Sequence, residues 1–190
     1  MAIPKAHEKY SWADYLSWPE GERWELIEGE AWAMSPAPSR THQVISGEIF
    51  AQLHDFLRDK ACRVFIAPFD VKLSADDEDD APTVVQPDVV LCCDEEKISE
   101  RGITGPPDLV VEVVSPASGI MDRKYKYRLY EQAGVGEYWL VDPVTKVLEI
   151  FRREASAVQF TRIGAFASGD RPSVAALPGF ELDCEAVFSA

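Results

Sequence analysis

Glu112 stands in the middle of DLVVEVV (108–114), with two valines on each side. In a strand alternate side chains share a face, so Glu112 points the same way as Val110 and Val114. An isolated buried carboxylate is expensive, so such a group neutralises or finds a partner. Two readings are open at this point. Either an Arg, a Lys or a backbone donor satisfies Glu112 inside the fold, or a cation or catalytic group waits on that face. Asp88 favours the second. It opens the preceding apolar run, QPDVVLCC (86–93), directly after Pro87, which has no N–H to give a ladder and so marks a splayed or edge position. If the two strands are neighbours, Asp88 and Glu112 converge, and carboxylates that close repel unless a proton or a cation lies between them. A hard divalent ion held by one or two carboxylates and waters resolves the conflict. Asp108, about 13 Å from Glu112 along a strand, is too far to share such an ion and reads as the residue that opens the strand.

A positive group is also within reach. In DRKYKYRLYEQA (122–133) helical spacing sets Asp122, Lys126, Leu129, Tyr130 and Ala133 on one stripe. Lys126 therefore shares the apolar side, whereas Lys124, about 200° around the axis, faces solvent with Arg128 and Glu131. An inward lysine keeps its charge only beside a negative partner; the alternative is that Lys126 snorkels along the helix surface.

The elements that must position these residues follow from pattern. SWADYL (11–16) predicts a short helix with Ser11 as its N-cap. RWELIEGEAWAMSP (23–36) predicts a hairpin turning near Glu28–Gly29, stopped by a proline-rich bend. Val44, Ile45, Ile49, Leu53, Phe56 and Leu57 recur at helical steps in 41–60. Strands follow at 62–73, bent at Pro68, then at 86–93 and 108–114; the last two are apolar enough to be covered on both faces. A helix over 122–133 ends at Gly134. A fourth strand (137–142), a hairpin (147–153 with 158–163) and a short final helix complete the chain. From 41 onward the order is α-β-β-β-α-β, which predicts an α/β (α+β) fold with a mixed sheet flanked by helices. The expected organisation is one domain over 1–190: an N-terminal helix and hairpin (1–40), a core (41–142) and a C-terminal hairpin and short helix (143–190).

The totals narrow the function classes. The chain has 190 residues and a net charge of −14, which argues against a broadly basic nucleic-acid-binding face. The runs Asp76–Asp80 and Asp94–Glu96 carry part of that charge and read as solvated loops. No apolar run approaches the ~20 residues of a membrane helix, and the first residues lack a leader pattern, so a cytoplasmic location is expected. Cys62, Cys92, Cys93 and Cys184 lack C-x-x-C spacing and read as reduced packing residues rather than a zinc site or a disulfide.

WELIEGEAWAMSPAPSRTH, QPDVVL, PPDLVVEVVSPAS, DRKYKYRLYEQAGVGEYWLVDP and LPGF are spread over nearly the whole chain. Together they resemble a large bacterial family of candidate restriction endonucleases, long carried as a domain of unknown function, within the PD-(D/E)XK nuclease superfamily. The resemblance implies a restriction-endonuclease-like core with a divalent-metal site. It implies Asp88 as the first ligand, Glu112 as the acid of the second motif, the Val113 carbonyl as a further ligand, and Mg²⁺ (or Mn²⁺) as the ion. The lysine of E-x-K would fall on Val114; the resemblance places it instead on the following helix, where Lys126 fits. Glu48, on the first helix, His42, at its start, and Asp122 are lesser candidates. For His42, helix capping or packing is the competing role.

The expected function is metal-dependent hydrolysis of DNA, with RNA as the other possible substrate, no membrane partner and a homodimer. A catalytically silent or regulatory module that keeps the nuclease fold is the alternative. Arg123, Lys124, Arg128, Arg152, Arg153 and Arg162 decide between them if they form a local basic patch. A two-carboxylate sugar hydrolase, with Glu112 as acid and Asp88 as base, is a further reading that leaves the inward lysine unexplained.

Overall fold

The structure, a computed structural model, describes residues 8–19, 23–34, 37–74, 79–115, 118–154 and 157–189. Most of the Asp76–Asp80 run, and Pro36 of the proline-rich bend after the first hairpin, lie outside the described residues. The N-terminal part holds α1 (Trp12–Tyr15), β1 (Trp24–Ile27) and β2 (Glu30–Ala33). Asp14 closes α1 by accepting from the Ser11 N–H at 2.9 Å. Glu28 and Gly29 turn the hairpin with positive φ values of 50° and 81°, the backbone that a two-residue hairpin turn requires. The long helix α2 (Arg40–Phe56) starts at Ser39, whose hydroxyl accepts from the His42 N–H at 3.2 Å. Ile45, Ile49, Leu53 and Leu57 are buried as their spacing predicts, but Val44 faces solvent, one residue and ~100° off that stripe.

The remaining strands are β3 (Arg63–Ile66), β4 (Val71–Lys72), β5 (Val84–Val85), β6 (Val89–Cys92), β7 (Ile98–Ser99), β8 (Gly102–Thr104), β9 (Leu109–Val113), β10 (Glu137–Asp142), β11 (Val147–Arg153) and β12 (Phe160–Phe166). A helix spans Met121–Ala133: Met121–Lys126 is wound as a π-helix and α3 (Tyr127–Ala133) continues it. The chain ends in α4 (Cys184–Phe188), capped by Asp183.

These strands make two six-stranded sheets rather than one, ordered β2-β1-β5-β4-β8-β7 and β12-β11-β10-β9-β6-β3. All neighbours are antiparallel except β4 with β8 and β9 with β10. The predicted strand over 62–73 divides at Pro68: β3 joins the second sheet and β4 the first. The run before β6 divides in the same way, because β5 belongs to the first sheet. Pro87 explains that break, since it removes the donor needed to continue a ladder.

The second sheet is covered on both faces. Leu109, Val111 and Val113 of β9 pack with Trp139, Val141, Ile49, Leu53 and Val187 on one side. Val110 packs with Tyr138, Leu140 and Tyr130 on the other. Glu112, in the alternation of Val110, therefore faces the α3 side.

Cys62 and Cys93 form a disulfide, contrary to the reading as reduced packing residues; Cys92 and Cys184 are free and buried. The reason is register. Arg63 pairs with Cys92 across β3 and β6, so the residues just beyond them, 31 apart in sequence, have Cα atoms only 3.9 Å apart.

Candidate active site

Sheet register brings the carboxylates together. β6 and β9 pair from Leu91↔Leu109 to Val89↔Val111, and the next step on each strand is Asp88 and Glu112. The ladder ends there. In place of a backbone partner the Asp88 carboxylate accepts the Val113 N–H, at 2.8 Å to Oδ2. The same oxygen lies 3.1 Å from His42 Nε2, which arrives from the first turn of α2. Since Ser39 caps α2, the ring of His42 serves the site and not the helix end. Among the described residues its other nitrogen, Nδ1, is buried without a hydrogen-bond partner.

From the opposite layer the helix over Met121–Ala133 delivers Lys126. It is 4% exposed, as is Glu112, and its Nζ lies 2.9 Å from Glu112 Oε1. Asp122, on the same stripe, is buried too, while Lys124 is exposed, as the helical spacing predicts. Tyr130, one turn beyond Lys126, donates its hydroxyl to Glu112 Oε1 at 2.7 Å.

Two participants were not among the expected residues. One is Tyr130. The other is Glu25 of β1, 5% exposed, whose Oε1 lies 2.8 Å from Lys126 Nζ and 3.0 Å from the Gln86 backbone N–H. In WELI this acid sits between apolar neighbours, but in the amphipathic pattern of the WELIEGE hairpin it does not stand out as Glu112 does. Glu48 is not brought in. It accepts from Gln52 at 3.0 Å, and Gln52 binds the Asp183 backbone next to α4. Asp108 opens β9 as read, accepting the Cys93 N–H at 2.6 Å.

The site thus gathers four carboxyl groups, Glu25, Asp88, Glu112 and Asp122, around one lysine and one histidine. Burial pushes the Glu112 carboxyl well above the usual carboxylate range; Asp122, Asp88 and Glu25 add to the shift and Lys126 opposes it. Burial likewise raises Asp122, against Lys126 and a hydrogen bond from Ser118. For Lys126 burial works against the charge, but Glu112, Glu25 and Asp122 outweigh it and hold the ammonium protonated far above neutrality. Burial also opposes charge on His42, yet the hydrogen bond and charge of Asp88, with the Val113 carbonyl, raise its pKa. Tyr130 is raised well above an ordinary phenol, by burial and then by Glu112, and stays protonated.

These surroundings fit a hard divalent cation. Among the described residues the hydrogen bonds to Asp88 fall on Oδ2 and those to Glu112 on Oε1, so Oδ1 and Oε2 have no protein donor. No three His, Cys, Asp or Glu side chains among the described residues are grouped to hold a metal by themselves.

Half of the expected basic patch is paired with carboxylates. Arg123 pairs with Asp142 and Glu149, Arg162 with Glu149, and Arg152 with Glu137. Arg153 binds the Glu131 carbonyl. Lys124 and Arg128 are exposed.

Fold and site together define an α/β scaffold with a buried carboxylate–lysine centre at the splayed end of a strand pair. Residues 12–185 match the Uma2 family, described as "Putative restriction endonuclease", and the chain belongs to that family. An uncharacterized protein of Synechocystis sp. is 29% identical over 148 residues, covering 76% of this chain and 75% of the relative. The fold is also similar to a crystal structure from Anabaena variabilis described as "a putative nuclease belonging to DUF820". The TM-score is 0.71 and the identity 19%, over 92% of this chain and 95% of that one.

Proposed function

We propose that the protein is a metal-dependent endonuclease of the PD-(D/E)XK type that hydrolyses DNA phosphodiester bonds. The observation that carries this reading is the pairing of Lys126 with Glu112 beside Asp88, where among the described residues each acid keeps one oxygen free of protein donors. Asp88, Glu112 and the Val113 carbonyl would hold Mg²⁺ or Mn²⁺. The ion supplies a Lewis acid for the phosphodiester and a lowered pKa for an attacking water. The chain's own groups do the rest. Val113 N–H and His42 fix Asp88 through Oδ2, which would leave Oδ1 for the cation. Tyr130 and Lys126 fix Glu112 through Oε1 in the same way. Lys126 is placed to orient or deprotonate the attacking water or to donate to charge building on the phosphate. The buried excess of carboxylates supports the same reading, because like charges so placed call for a cation.

A second reading, a catalytically silent module with this fold, is supported by the pairing of three of the six patch cations with carboxylates of the protein. A cleavage assay separates the two. Supercoiled plasmid, single-stranded DNA and RNA are incubated with the protein in Mg²⁺, in Mn²⁺ and in EDTA. Metal-dependent cutting of DNA that EDTA abolishes is the expected result. No cutting of any substrate in either metal selects the silent module.

A further inference from the structure

Lys126 has two carboxylate partners, and they reach it from different sheets. Glu112 comes from β9 and Glu25 from β1, at 2.9 and 2.8 Å. Their other attachments differ. Glu112 Oε1 has the Tyr130 hydroxyl in addition, on the same helix as Lys126. Glu25 Oε1 is fixed by the Gln86 backbone N–H, and Gln86 is itself braced. Its side-chain oxygen accepts from Arg23 at 3.1 and 3.0 Å. Its amide donates to Asp70 at 2.9 Å and to the Tyr15 hydroxyl at 3.1 Å, and Tyr15 in turn donates to Asp70 at 2.9 Å. Glu25 is therefore anchored by a network reaching α1, β1 and the segments flanking β4 and β5.

If Glu112 serves a cation, its charge is no longer available to Lys126. A buried ammonium that loses its counter-charge is strongly destabilised, so a site with Glu112 alone would set two cations against each other for one carboxylate. We infer that Glu25 is a positioning residue that holds the Lys126 ammonium at the site once the charge of Glu112 is taken up. This rests on the metal reading above. Glu25 touches neither substrate nor the reacting atoms. A Glu25 that only tied β1 to Gln86 would explain its bond to that N–H, but not its 2.8 Å approach to a lysine 101 residues away.

The test uses the full chain with Mn²⁺ as the probe, in calorimetric titrations of the wild type, Glu25→Gln, Lys126→Met and the double variant. Glu25→Gln is expected to weaken Mn²⁺ binding about tenfold, because Lys126 then competes for Glu112, and to change it less than about twofold once Lys126 is methionine. Equal weakening in both backgrounds overturns the inference, since Glu25 then acts through folding or general charge. A wild type that binds no Mn²⁺ removes the metal reading, and a second measurement then decides the role of Glu25. In the Glu112→Gln background, which removes the charge without a metal, Glu25→Gln and Lys126→Met should be coupled about tenfold in the urea-unfolding constant. Additive effects there overturn the inference.

Discussion

At the residue scale the account turns on charge placed where solvent cannot reach it. Glu112 and Lys126 were legible because each broke a pattern: an acid inside an apolar strand, a lysine on the buried stripe of a helix. Asp88 was legible through Pro87. Glu25 was not, because WELIEGE reads as an amphipathic hairpin in which a glutamate is ordinary, and only the first sheet's approach to the helix reveals its partner. The uneven count of acids has a measurable consequence. Burial raises the pKa of Asp122, so the folded protein binds its proton more tightly than the unfolded chain does. Stability therefore falls as pH rises from about 4 through the folded value. Asp122→Asn removes that loss. In metal-free protein it should raise the melting temperature by ~2–4 °C at pH 7, with the gain vanishing towards pH 3, as differential scanning calorimetry would record.

At the element scale the site depends on how two strand ends are held. β9, β10 and α2 could be read from apolar runs and helical spacing. Most of the first sheet could not, because its strands at 71–72, 84–85 and 98–99 are too short to show a period. Nor does sequence order reveal that the chain crosses between sheets before β4 and again before β6. The approach of β10 to β9 is tight where it begins: a Cβ at Gly136 would lie 2.7 Å from the Asp108 carbonyl oxygen. Gly136→Ala should cost about 2 kcal/mol in urea unfolding, since backbone must shift to admit the methyl. The disulfide makes the opposite case. It clamps β3 to β6 at the end of β6 away from Asp88, across a separation of 31 residues. Cys62→Ser should lower stability by about 3 kcal/mol under oxidising conditions and leave cleavage unchanged; a parallel loss of activity would mean that the clamp shapes the site.

At the scale of the whole molecule the net charge of −14 and the internal pairing of Arg123, Arg152 and Arg162 leave few cations for phosphate. No helix among the described residues is long and apolar enough to cross a membrane. With Lys124 and Arg128 as the exposed cations of that group that make no ion pair among the described residues, affinity for duplex DNA should fall only about tenfold between 50 and 200 mM salt, the slope of roughly two phosphate contacts. Fluorescence anisotropy with a labelled duplex would measure it. A fall of a thousandfold would point to a basic surface elsewhere. The central claim is that Glu112 is a working carboxylate and not a buried structural one. The direct measurement is the rate of supercoiled-plasmid nicking in Mg²⁺ by the wild type and by Glu112→Gln, each confirmed as folded by circular dichroism. The account predicts a loss of ~100-fold or more; equal rates for the two proteins would contradict it.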